Sequence, residues 1–173
     1  QLRISIQKCD FECSSTIEFL GHTIRDGKIS PGPKTCKILE GIVNPNDETE
    51  DKDKVAKLNT FIGLANWFSK YIPDCQRKLK PLLDARINGW TWGKEQNEAF
   101  ITFRDILSNL QPLHMPSGGN NKLEIHTDAS KDGYFCVLFE DTGIGDACDR
   151  LRVIAYAGGV FRGPQLAWSI LQT

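Results

Sequence analysis

The sequence predicts a mixed α+β and α/β chain, with β-hairpins first, a small helical bundle next and the opening strands of an incomplete sheet last. Three observations carry this. Apolar residues alternate with period two toward both ends of the chain. They recur at spacings of three and four through the middle. A run of breakers, Pro112 to Asn121, separates the helical part from the second strand-rich part.

Residues 1–30 read as strands. Leu2-Arg3-Ile4-Ser5-Ile6 alternates, Thr16 to Ile24 is apolar and β-branched with an interruption at Gly21, and Asp26-Gly27 is a hairpin turn signal. Pro31 and Pro33 punctuate the chain, and a helix is expected over Thr35 to Ile42, before Pro45. Residues 44–54 form a charged, turn-rich surface loop or helix lead-in.

Residues 55–72 read as a helix, because Leu58, Phe61, Ile62, Ala65, Phe68 and Ile72 make one apolar stripe. The opposite side gathers Asn59, Gly63, Asn66, Trp67 and Lys70. A glycine inside a helix costs about 1 kcal/mol relative to alanine. Gly63 sits on the polar face beside a tryptophan that the stripe does not claim. The pattern fits a loose surface helix, or a helix that lets another backbone come close at Gly63 with Trp67 packing beside it.

A shorter basic helix follows over 74–86, with Leu79, Leu82 and Leu83 facing inward and Arg77, Lys78 and Lys80 supplying charge. Residues 94–110 make a third helix on Ala99, Phe100, Phe103, Ile106, Leu107 and Leu110. The breaker run after it reads as a domain boundary. Beyond it, Leu123, Ile125 and Thr127 alternate with Glu124, His126 and Asp128. Tyr134 to Phe139 is a nearly continuous apolar run, as in a central strand, and Leu151 to Ala157 is a third strand. Three strands in sequence suit the front half of an α/β domain.

At 173 residues the chain is long enough for one domain or two small ones. A hydrophobic fraction of 40% with 25% charged residues excludes a disordered tail or a coiled coil. The net charge of −1 excludes a uniformly basic nucleic-acid binder, but it averages unlike segments. Residues 47–54 hold five acidic and two basic side chains, and residues 55–86 hold six basic and two acidic ones. No apolar run reaches the roughly 18–20 residues of a membrane helix, so no membrane partner is expected. The chain begins at Gln1 and its only methionine is Met115, which leads us to expect an excerpt of a longer chain. The six cysteines are scattered, and Cys9 and Cys13 lack a second pair at zinc spacing, so reduced thiols are expected.

Asp128, in His126-Thr127-Asp128-Ala129-Ser130, is the sharpest chemical feature. At a buried strand end a carboxylate is costly unless it binds a cation or accepts hydrogen bonds. It fits a Mg²⁺ ligand, or equally an aspartate capping the next turn. Asp141-Thr142-Gly143 matches the core of aspartic-protease sites, but its polar, turn-like setting fits a hairpin loop. His126 shares a strand face with Asp128 and is expected to be structural; His22 and His114 show no local partner. Trp90 and Trp92 are expected to pack in the core or at an interface rather than to stack on bases.

Five segments then stand in a telling order: IEFLGHTI (17–24), FIGLANWFSKYIPD (61–74), WTWGKEQNEAF (90–100), IHTDASKDGYFCVLF (125–139) and VIAYAGGVF (153–161). Together they resemble the Pol polyprotein of long-terminal-repeat retrotransposons of the Ty3/gypsy class, over essentially the whole chain. The resemblance implies a domain order: the end of a reverse-transcriptase palm with its primer grip (1–31), the thumb (32–88), a connection (89–120) and the front of a ribonuclease H-like sheet (121–173).

It also implies roles. Phe19-Leu20-Gly21-His22 would be the primer grip, and Asn59, Gly63, Asn66 and Trp67 would lie along a thumb helix in the minor groove of the template–primer. Lys70, Arg77, Lys78 and Lys80 would neighbour phosphates, and Asp128 would be the first carboxylate of the nuclease, ligating Mg²⁺. The implied partners are an RNA/DNA hybrid, a DNA primer–template and the rest of the polyprotein, and the implied location is a cytoplasmic virus-like particle.

The chain departs from the family at Phe135, where a small residue is usual. The family's second nuclease carboxylate would follow Thr173, and its paired polymerase aspartates would precede Gln1. The chain alone is therefore expected to be inactive in both reactions. A domesticated nucleic-acid-binding or interaction module is the alternative. Asp128-x-Ser130-x-x-Gly133 also resembles the phosphate loop of actin-like ATPases, which leaves residues 17–74 unexplained.

Overall fold

The computed structural model describes residues 14–87, 90–146 and 150–167, and its architecture is mixed α+β with two antiparallel sheets. The expected Leu2–Ile6 strand, Cys9, Cys13 and Cys148 lie outside the described residues.

The first sheet holds β1 (Thr16–Phe19), β2 (His22–Arg25), β3 (Lys28–Pro31) and β4 (Leu113–His114), in that order. Asp26 and Gly27 turn β2 into β3 at φ values of 51° and 67°, the geometry an Asp-Gly pair favours. β4 comes from inside the breaker run and pairs Leu113 with Ile29 and His114 with Lys28. Sequence periodicity missed it, since two residues carry no period.

The helices are α1 (Pro33–Glu40), α2 (Asp51–Trp67), α3 (Cys75–Ile87) and α4 (Lys94–Ser108). α2 starts before the expected Val55, because Asp51 and Asp53 place carboxylates at its N-terminus, where the helix dipole favours them. It ends at Trp67 and not at Ile72. Pro73 pushes Ile72 to extended backbone, φ −115° and ψ 110°, and Ser69–Tyr71 tightens into a 3₁₀ turn. α3 tolerates Pro81 within it.

One core joins α2, α3 and α4. Leu58, Phe61, Phe68, Leu79, Leu82 and Phe100 are each 0–1% exposed. Phe61 lies against Phe100 and Phe103, with ring centroids 4.8 and 5.9 Å apart. Trp90 and Trp92 stack on each other at 5.2 Å and Trp92 reaches Phe100, so this pair packs against the core as expected.

The second sheet orders β5 (Lys122–Ser130), β6 (Gly133–Asp141) and β7 (Leu151–Val160). β7 leans back on the helical core through Val153 and Tyr156. The breaker run is pinned rather than loose. Glu140, 1% exposed, accepts hydrogen bonds from the Ser117 backbone N–H at 2.8 Å and its hydroxyl at 2.7 Å. Those donors hold its carboxyl below the usual range.

The Asp141-Thr142-Gly143 segment is a hairpin loop, in which the Asp141 carboxylate accepts from the Gly143 N–H at 2.8 Å and pairs with Arg150. The burial expected around Asp128 is not found. β5 is an edge strand of the described sheet, and Ile125 is 67% exposed and Asp128 exposed with it.

Candidate nucleic-acid interface

The site begins at a two-residue turn. Leu20 and Gly21 join β1 to β2 with φ values of 48° and 76°, so both lie in the left-handed region. This is the turn whose twist matches a hairpin, and glycine belongs at its second position. The Gly21 carbonyl accepts from the Gly32 N–H at 2.8 Å and from the Thr35 hydroxyl at 3.2 Å. Glycine suits position 32, since a Cβ there would lie 3.0 Å from the same carbonyl oxygen, tighter than an ordinary contact. The turn is thus fixed from the N-terminus of α1, a contact that sequence reasoning missed. Its trace in the sequence is the lone glycine between Pro31 and Pro33.

His22 follows the turn and is not without partners. Its ring stacks parallel to Trp67, centroids 5.8 Å apart and planes 2° apart, and meets Phe68 edge-on at 6.3 Å. Its Nδ1 shares a 3.0 Å hydrogen bond with the Tyr71 hydroxyl. Burial, then the charge of Lys70, lowers the His22 pKa, so the ring is neutral at pH 7. Burial pushes the Tyr71 hydroxyl up to about 12, so it stays protonated.

Lys70 sits half-buried with its ammonium 5.2 Å from the Tyr71 ring centroid, and burial lowers its pKa. Tyr71 was the residue missed here. It lies four residues after Trp67, the spacing that stacks side chains on one helix face, although the chain has become a 3₁₀ turn by then.

Trp67 is the last residue of α2 and is 52% exposed, with its indole nitrogen 3.9 Å from where a Gly21 Cβ would stand. Back along α2, Asn66, Gly63 and Asn59 are all exposed. A Cβ on Gly63 would meet nothing within 4 Å, so its missing side chain is not a demand of the fold. Asn66 Oδ1 accepts from Gln76 at 2.8 Å, and Asn59 Oδ1 from Arg86 at 3.3 Å. The fold therefore unites Gly21, His22, Trp67 and Lys70 in one cluster and extends it along α2 through Asn66, Gly63 and Asn59.

Asp128 is elsewhere. It stands on β5 opposite Phe135 and lines a cleft of about 100 Å³ with Asp74, Arg77 and Asp132. Phe135 stacks on Tyr156, ring centroids 6.1 Å apart, and lines the same cleft as Asp128. His126 is exposed, 3.3 Å from Glu124 and against Phe139. Among the described residues no three His, Cys, Asp or Glu side chains converge as a metal site. No helix among them is long and apolar enough to cross a membrane.

No family model matches the chain. It is 32% identical over 152 residues to the enzymatic polyprotein of cauliflower mosaic virus (strain D/H), a match covering 86% of this chain and 21% of that polyprotein. It is 33% identical over 124 residues to the enzymatic polyprotein of carnation etched ring virus, covering 70% and 18%. It is 27% identical over 147 residues to the genome polyprotein of petunia vein clearing virus (isolate Shepherd), covering 84% and 6%. The chain thus spans about a fifth or less of these relatives.

Its fold matches the foamy viral protease–reverse transcriptase in complex with an RNA/DNA hybrid, with a TM-score of 0.71 at 17% identity over 91% of this chain and 20% of that one. The same protein in complex with dsDNA matches with a TM-score of 0.70 at 18% identity, over 91% and 31%. The sequence similarity is therefore to one region of these viral polyproteins, and the α+β fold is the one found in part of the foamy viral protease–reverse transcriptase.

Proposed function

We propose that this chain is the primer grip, thumb and opening nuclease strands of a reverse transcriptase–ribonuclease H polyprotein, and that its own work is to hold a template–primer. The observation that carries this is the joining of the Leu20–Gly21 turn to α2 through His22, Trp67 and Tyr71. A grip that positions a primer end needs a rigid tip, and the parallel stack and the 3.0 Å hydrogen bond supply one. The open face along Asn59, Gly63 and Asn66 admits a nucleic-acid backbone closely, and the half-exposed Trp67 packs against sugars beside it. Such contacts are sequence-independent, as copying any template requires. Lys70, Arg77, Lys78 and Lys80 add a salt-dependent attraction for phosphates.

The proposed domain order is palm end and primer grip (1–31), thumb (32–88), connection (89–120) and ribonuclease H front (121–173). The Ty3/gypsy lineage is the finer assignment within reverse-transcribing elements, carried by the order of the five sequence segments. The proposed partners are a DNA primer–template, an RNA/DNA hybrid and the remaining polyprotein. Asp128 would bring one carboxylate to a Mg²⁺ site of the whole enzyme. The described residues do not complete such a site, and two-metal phosphoryl transfer needs more than one carboxylate, so no bond-breaking step is assigned to them.

Fluorescence anisotropy with a labelled primer–template tests the proposal. Trp67→Ala is expected to weaken binding by about 1–3 kcal/mol, the range for an aromatic ring packed on nucleic acid, and Gly63→Leu to weaken it as well. Unchanged affinity in both variants would overturn the minor-groove assignment.

A further inference from the structure

The helical core and the second sheet leave an open groove of about 930 Å³ between α4, the connection to β4, and β7. That lies within the range of about 300–1,000 Å³ usual for small-molecule sites. Ile106, Leu110 and Leu113 line it from the helical side, and Val153 and Tyr156 from β7. Two basic-type side chains, His114 and Arg152, reach it from neighbouring strands. Arg152 has no carboxylate within ion-pair distance among the described residues. Glu140, opposite Arg152 on β6, gives one carboxylate oxygen to Ser117, and its other oxygen has no hydrogen-bond partner among the described residues. Asp105 is the acidic residue of the lining and is exposed on α4. Burial, then the charges of Lys28 and Arg152, hold the His114 pKa down against the opposing charge of Glu140, so the ring stays neutral.

We propose that this groove binds a small amphipathic anion, a flat apolar body held between Leu110 and Tyr156 with one carboxylate or sulfonate facing Arg152. The match is one of charge and shape: apolar walls on two sides and an unpaired guanidinium at one edge, which favours planar, bidentate acid groups. Tyr71 also lines the groove and hydrogen-bonds His22 at 3.0 Å. An occupant touching Tyr71 is therefore one hydrogen bond away from the Leu20–Gly21 turn. The site stands on its own geometry and does not rest on the polymerase assignment.

The probe is 8-anilinonaphthalene-1-sulfonate, with uncharged N-phenyl-1-naphthylamine beside it. The expected result is saturable fluorescence with the sulfonate, weakened about tenfold or more by Arg152→Gln, the scale of a lost charge-assisted hydrogen bond. Arg152→Gln leaves the uncharged probe unaffected, and Leu110→Trp, which fills the groove, removes binding of both. The His22 ring resonances shift on titration with the sulfonate. Should Leu110→Trp fail to fold by circular dichroism, Ile106→Trp fills the same space. Sulfonate binding that survives both Arg152→Gln and the filling variant is binding to exposed apolar surface such as Phe19 or Ile125, and overturns the proposal.

Discussion

Leu20 holds a backbone φ of 48° with its side chain 66% exposed, and Phe19 beside it is 61% exposed. A left-handed leucine costs about 1–2 kcal/mol, and such outliers collect where geometry serves a function. His22 is the next residue, and its chemistry gives a pH dependence. His22 and His114 both titrate below the usual 6.5, chiefly through burial. Between the folded values and 6.5 the unfolded chain binds protons that the folded chain refuses. Stability contributed by these rings is therefore full above pH 6.5 and falls as pH drops through the folded pKa values. Melting temperature is expected to decline from pH 7 toward pH 5, less steeply in His22→Gln. A flat or rising profile would contradict the burial assigned to this ring.

At the scale of elements, α2 shows how local stability and function pull apart. Gly63→Ala is expected to raise stability by about 1 kcal/mol, because the added methyl meets nothing within 4 Å. A chemical denaturation midpoint shifted downward would show that the helix uses this glycine for its own fold. The apolar stripe from Leu58 to Phe68, the Asp26-Gly27 turn and the three long helices were legible because each is a local pattern with a fixed period or turn chemistry. The helix ends were not. Asp51 extends α2 through its dipole and Pro73 shortens it, and neither acts through periodicity. The Gly21 clamp by Gly32 and Thr35, the His22–Tyr71 bond and the β4 pairing were hidden because they join residues far apart in sequence. The burial expected around Asp128 failed for a related reason. Alternation fixes which side chains share a face, but not whether another element covers it.

For the molecule as a whole, the net charge of −1 conceals an acidic approach to α2 and a basic stretch over α2 and α3. The chain has one connected core for α2 to α4, with β7 packed on its side and Ile29 and Leu113 of the first sheet joined to it, so both sheets and the helices form one framework. Asp128 stands on that framework without a converging set of ligands among the described residues. On the proposed assignment Asp128 is a single carboxylate of a two-metal site, so this chain with Mg²⁺ and an RNA/DNA hybrid is expected to give no cleavage. Metal-dependent cleavage lost in Asp128→Asn would contradict that.

The central claim is that the Gly63 face of α2 meets the minor groove of a bound duplex. The most direct measurement is disulfide trapping between Gly63→Cys and a primer–template carrying a thiol tethered to a guanine in the minor groove. The account predicts a cross-link whose yield depends on the tether's position along the duplex and exceeds that of an equally exposed control, Gly143→Cys. Equal yields from the two cysteines, or no dependence on tether position, would contradict it.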